Sequence, residues 1–106
     1  MKTKSCFFAL VLLSLTITAC TSAEKEPSAS EGEKLFNDLQ LAGSVNASSC
    51  ASCHPGGKGL ERAFKNPKLV SVINACITGP LDGQSLEESS VEMLSLKLYV
   101  ESFGGE

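Results

Sequence analysis

Cys50-Ala51-Ser52-Cys53-His54 decides how the rest of this chain is read. Two thiols three positions apart fall on one helical turn, where each can add across a vinyl group of haem. The adjacent histidine then carries a ring nitrogen to the iron. This C-x-x-C-H spacing is the attachment signal of a c-type haem, with Cys50 and Cys53 as thioether residues and His54 as an axial ligand. Two other chemistries use part of the pattern. A structural zinc site needs four ligands, and beyond the pair and its histidine the chain offers only the distant Cys76. A thioredoxin-like redox pair sits in strand-helix-strand surroundings, and no strand pattern flanks these residues. The ligand supply favours one covalent haem c.

The first twenty residues read as a targeting segment. Lys2 and Lys4 precede an apolar run over residues 7–17, and the small residues Thr18 and Ala19 lead to Cys20. A run this short crosses a bilayer poorly, so a retained membrane helix is the weaker reading. Ile17-Thr18-Ala19-Cys20 resembles a bacterial lipobox, which implies a signal peptide over 1–19 and lipidation of Cys20. The competing reading is an ordinary secretory signal that leaves Cys20 a spare thiol. Acyl chains on Cys20 would anchor the protein firmly, because two lipid signals suffice where one is marginal. Thr21, in place of an acidic residue, resembles lipoproteins sorted to an outer membrane, where the source has one. Residues 20–30 are polar and small around Pro27 and read as a flexible tether.

Cleavage before Cys20 removes Lys2 and Lys4 from nine Lys+Arg, leaving seven against twelve Asp+Glu, a formal charge of −5. An acidic exported domain argues against nucleic acid and carries no polybasic patch for lipid headgroups. By the same balance a protein partner is expected to be basic where it docks. Residues 31–106 form one domain, too small to bury a comfortable core alone. Its aromatic content is low: no Trp, one Tyr and five Phe, of which Phe7 and Phe8 lie in the leader. A covalent haem would supply the missing apolar bulk.

The pattern predicts an all-α domain of three to four helices. The first opens at Ser30 with Glu33 as a capping box, places Gly32, Leu35, Phe36 and Leu39 on one side, and ends at Gly43. Residues 47–54 carry the C-x-x-C-H turn, which Pro55 stops. The glycine-rich 55–59 superficially resembles a phosphate loop, but no Ser or Thr follows Lys58. It reads instead as backbone wrapping the haem face, with glycine allowing close approach. A middle helix starts at Asn66-Pro67, shows Leu69, Val70, Ile73 and Ile77 on one face, and ends at Gly79-Pro80. The last opens on Ser89 and Glu92 and carries an apolar stripe of Met93, Leu96, Val100 and Phe103 beside Tyr99.

Over residues 31–103 this layout resembles the class I cytochrome c family. The resemblance rests on Gly32 and Phe36, the Cys50/Cys53/His54 motif, and Leu96-x-x-Tyr99. It implies a small cytochrome c fold wrapped around one covalent haem, with the first and last helices crossing at the glycine and the two aromatics. It also implies maturation outside the cytoplasm.

The second axial ligand is open between two side chains. Met93 is the sole methionine after processing, and His/Met ligation is the ordinary class I arrangement. It sits, however, inside the helical stripe, only six residues before Tyr99, whereas that family draws its methionine from the preceding loop. The matching stretch here, 78–85, has no Met, His or Lys. Cys76 lies just before that loop, and Ile73-Asn74-Ala75-Cys76 resembles haem domains of the SoxA and thiosulfate dehydrogenase type, in which the corresponding cysteine binds iron. Cys76 as a small buried hydrophobe, or an iron with no sixth ligand, complete the alternatives.

The expected function is a monohaem one-electron carrier tethered to a membrane on the export (periplasmic) side, meeting redox partner proteins through a small transient contact. No second catalytic constellation accompanies the motif, so an enzyme is the less favoured reading. Its form would be the haem subunit of a sulfur-compound oxidoreductase with a Cys-ligated iron.

Overall fold

The computed structural model describes residues 25–104. The signal segment and Cys20 lie outside the described residues. Within them the fold is all-α, with no strand: α1 (Ala29–Phe36), α2 (Cys50–Cys53), α3 (Leu69–Thr78) and α4 (Val91–Ser102), joined by 3₁₀ turns at Leu41–Gly43, Pro55–Gly57 and Ala63–Lys65. No described helix is long and apolar enough to cross a membrane.

Serine-rich helix entries offer several caps, and the structure selects one at each site. At α1 the N-cap is Ser28, whose Oγ accepts from Glu31 N at 3.0 Å. Ser28-x-x-Glu31 repeats the S-x-x-E pattern of Ser30-x-x-Glu33 two residues earlier. Ser28 prevails because its own N–H also donates to the fully buried Ser95 Oγ of α4, at 3.0 Å. Lys25 pairs with Glu31 at 2.9 Å, beside a helix N-terminus that favours the carboxylate. Helix α1 therefore starts at Ala29, within the stretch 20–30 that reads as tether in the sequence. At α4 the cap is Ser90 in place of Ser89: its Oγ accepts from Met93 N (3.1 Å) and donates to Glu87 O (2.7 Å), closing the turn before the helix. At α3 Pro67 lies ahead of the helix, because Asn66 Oδ1 accepts from Lys68 N (2.8 Å) in a side-chain-closed turn that delays the first helical residue to Leu69.

The core is made by Phe36, Leu41, Leu69, Ile73, Ile77, Leu81, Met93, Leu96 and Val100. Its frame is the crossing of α1 over α4. Gly32 is buried there, and a Cβ on it would overlap the Ser95 carbonyl oxygen and lie 2.7 Å from Tyr99 Cβ. Only a glycine lets the two backbones come this close. One turn on, Phe36 packs edge-on to Tyr99 with ring centroids 5.2 Å apart, and Tyr99 packs edge-on to Phe103 at 4.8 Å. Such edge-to-face pairs contribute roughly 0.5–1.5 kcal/mol each beyond their burial. Leu41 and Leu81 come from irregular segments, where no periodicity announces a buried position.

Candidate functional site

The short helix α2 is a single turn, held by its own serines. The buried Ser49 donates its N–H to Ser52 Oγ at 2.9 Å, and the two hydroxyls lie 3.3 Å apart. His54 N closes the turn on Cys50 O at 2.9 Å, and Pro55 ends it. Cys50 and Cys53 thus share one helical turn, with His54 at its C-terminal end.

Beyond the turn the chain bends back through Pro55–Gly57 to present a carbonyl to the histidine. His54 Nδ1 lies 2.9 Å from Lys58 O. A carbonyl only accepts, so Nδ1 carries the proton and Nε2 keeps its lone pair for a metal. A second partner of this kind orients a ligating imidazole and raises its basicity. The glycine of closest approach is Gly57, at φ +81°: a Cβ on it would collide with the Phe103 ring. The 55–59 loop therefore seats on the end of the last helix, and that packing fixes the Lys58 carbonyl.

Cys50, Cys53 and His54 open together onto a pocket of about 290 Å³. Its wall is almost wholly carbon and sulfur: Phe36 from α1, Leu69, Val72 and Ile73 from α3, Leu96 and Val100 from α4, and Leu60, Pro80 and Leu81 from the loops. Cys76 lines the same pocket and is otherwise exposed. Burial pushes the Cys50 thiol up to about 11, with the nearby Cys76 adding to the shift. Burial also raises Cys76, with Cys53 adding. Cys50 is therefore protonated at physiological pH where no metal or covalent bond engages it. Met93 is fully buried in the core and does not line the pocket. Of the two axial candidates, the structure brings only Cys76 to the C-x-x-C-H turn.

The loop after α3 is pinned rather than loose. Asn74 clamps it from the helix, its Nδ2 donating to Leu86 O (2.9 Å) while its Oδ1 accepts from Leu86 N (2.7 Å). Ser44 Oγ donates to Leu81 O, Asn46 Nδ2 to Pro80 O, and Gln84 N to Ala42 O. Pro80 and Leu81 are thereby held as pocket wall. Sequence reasoning expects His54 to donate its other ring N–H to a nearby backbone carbonyl, and Lys58 O is that acceptor. It had no hold on Leu60, Pro80 or Leu81 as pocket wall, because loop residues follow no period. Ser49 was legible only as one serine among several.

The donor set fits a covalent haem: two thiols on one turn, an imidazole with one nitrogen already satisfied, and an apolar pocket common to all three. Among the described residues no three His, Cys, Asp or Glu side chains converge on a bare metal ion, so four zinc donors are not assembled there. No protein-family model matches the chain, and no curated protein or solved structure is significantly similar to it.

Proposed function

We propose that this protein is a monohaem c-type cytochrome, a one-electron carrier tethered to a membrane on the export side through a lipidated Cys20. The observation that carries this reading is the common opening of Cys50, Cys53 and His54 onto one apolar pocket, with His54 Nδ1 already committed to Lys58 O. When bound, haem c supplies a one-electron iron couple. Cys50 and Cys53 would hold it and His54 Nε2 would bind the metal. Cys76 would be the second protein donor, since it lines the pocket and Met93 lies in the core away from it. The mostly aliphatic wall would lower the polarity around the bound group, one of the factors that tune its potential. A redox protein meets this domain through a small transient contact. The Ile17–Cys20 string supports the anchor, and Thr21 supports an outer membrane where the source has one.

A second reading has an observation in its favour. Cys76 both lines the pocket and is exposed to solvent, as the haem subunit of a sulfur-compound oxidoreductase would require of a reacting thiolate at iron. Electron carriage is preferred because, among the described residues that line the pocket with that thiol, His54 is the one acid-base side chain besides the cysteines, and the proposal gives it to the metal.

Mass spectrometry of the exported protein tests the core of the proposal. The chain should be heavier by one haem, and acid-acetone extraction should leave the colour on the protein. Cys50→Ala or Cys53→Ala should lose one thioether. A protein that exports and folds without covalent haem would sink the reading.

A further inference from the structure

Charge is distributed unevenly over this acidic chain. Among the described residues, Lys25, Lys34 and Lys97 each pair with a carboxylate, whereas Lys58, Arg62, Lys65 and Lys68 have none within ion-pair distance. All four unpaired cations fall in residues 58–68, a stretch with one acid, Glu61, for a local charge of +3; the other described side chains sum to −6 from three cations and nine acids. All four are exposed, as is Phe64 at 43%. Lys65 Nζ stands 5.6 Å from the Phe64 ring centroid. Glu61 does not cancel the patch; its Oε1 accepts from Gly59 N at 3.1 Å.

The segment is built into the pocket. Its first residue supplies the carbonyl that holds His54, Leu60 within it is pocket wall, and Leu69 directly after it is wall again. It is also held in shape: the Ala63–Lys65 turn packs on α4, and Phe64 lies so close to Gly104 that a Cβ there would collide with its ring. Four exposed cations and an exposed aromatic are thus carried by one braced segment that borders the pocket.

We infer that residues 58–68 form the surface on which an acidic partner protein docks to exchange electrons with this domain. This rests on the electron-carrier reading and reverses the sign of partner expected from net charge. The reversal follows from range. Exposed charges are screened beyond about 8 Å at physiological salt, so a partner docked on this segment responds to its local +3 more than to the net charge of the chain. Exposed Phe64 supplies an apolar centre for such a contact, and the cations supply steering and orientation. A protein is favoured over an anionic lipid surface because the patch borders the wall of the pocket through which an electron would pass.

The test uses the haem-loaded protein and two small oxidants of opposite charge, hexacyanoferrate(III) and tris(phenanthroline)cobalt(III). Each takes one electron from the reduced protein. If the patch governs approach, the rate with the anion falls as salt rises, although the protein is acidic. Charge reversal in R62E/K65E/K68E should lower that rate about tenfold at low salt, raise the rate with the cobalt cation, and leave the spectrum unchanged. A shift in potential alone would move both rates in the same direction. Should the triple variant fold poorly, R62Q, K65Q and K68Q singly should each give part of the effect. A rate with the anion that rises with salt, or is indifferent to these changes, overturns the inference. Amide NMR with a polyglutamate peptide gives a readout independent of electron transfer. Shifts should concentrate in 58–68 and vanish in the triple variant; shifts elsewhere, or capture of this segment by phosphatidylglycerol vesicles but not by polyglutamate, overturn it. Absence of haem would fell the carrier proposal, and the peptide mapping would still decide whether this surface takes acidic protein.

Discussion

Cys76 and Met93 both carry sulfur that can bind iron, and their surroundings separate them. Cys76 borders the pocket and keeps solvent contact, while Met93 is wholly enclosed among the core side chains. The expected outcome is that Cys76→Ala changes the oxidised optical spectrum and raises the reduction potential, because a donating thiolate is lost. Met93→Ala should leave the spectrum intact and cost about 2–5 kcal/mol of stability through the cavity it opens, read as a lowered denaturation midpoint. The reverse pattern would assign the iron to Met93, and two silent spectra would leave the sixth position without a protein ligand. His54 shows the same dependence on place. Its motif is plain in the sequence, but the tautomer that frees Nε2 is decided by the carbonyl of Lys58, four residues on.

Among the elements, the α1–α4 crossing is the contact least tolerant of change. Gly32 sits where a Cβ would meet the Ser95 carbonyl, and Ser28 N–H reaches Ser95 Oγ alongside. Gly32→Ala should force the helices apart and destabilise the haem-loaded protein by about 1–3 kcal/mol, measured by denaturant unfolding. An unchanged midpoint would mean that the crossing relaxes freely. Helix existence was legible from the apolar spacing of Leu69/Ile73/Ile77 and Met93/Leu96/Val100, all of which are buried. Helix entry was less so. Ser28 and Ser30, and likewise Ser89 and Ser90, offer nearly equal local caps, and the choice fell to partners supplied by tertiary contact or by a turn closed one residue earlier.

For the whole molecule, the proposed lipid anchor rests on Cys20 alone. Cys20→Ser should release the exported protein from membranes into the soluble fraction without altering its visible spectrum; membrane retention as tight as the parent's would refute lipid anchoring. The amino-acid sequence by itself determined the helical class of this protein and the residues on which the proposed covalent chemistry rests. Thiols three residues apart beside a histidine, and apolar side chains at helical spacing, are local properties that need no fold to be read. Tertiary structure alone decided which distant side chains share the pocket and which charged segment borders it. Cys76 reaches the C-x-x-C-H turn and Met93 does not because α3 lines the cavity while the buried stripe of α4 divides, Leu96 and Val100 facing the pocket and Met93 the core. The basic 58–68 segment outweighs an acidic chain because electrostatic contact is short-ranged in salt water, and only folding sets that segment against the pocket wall.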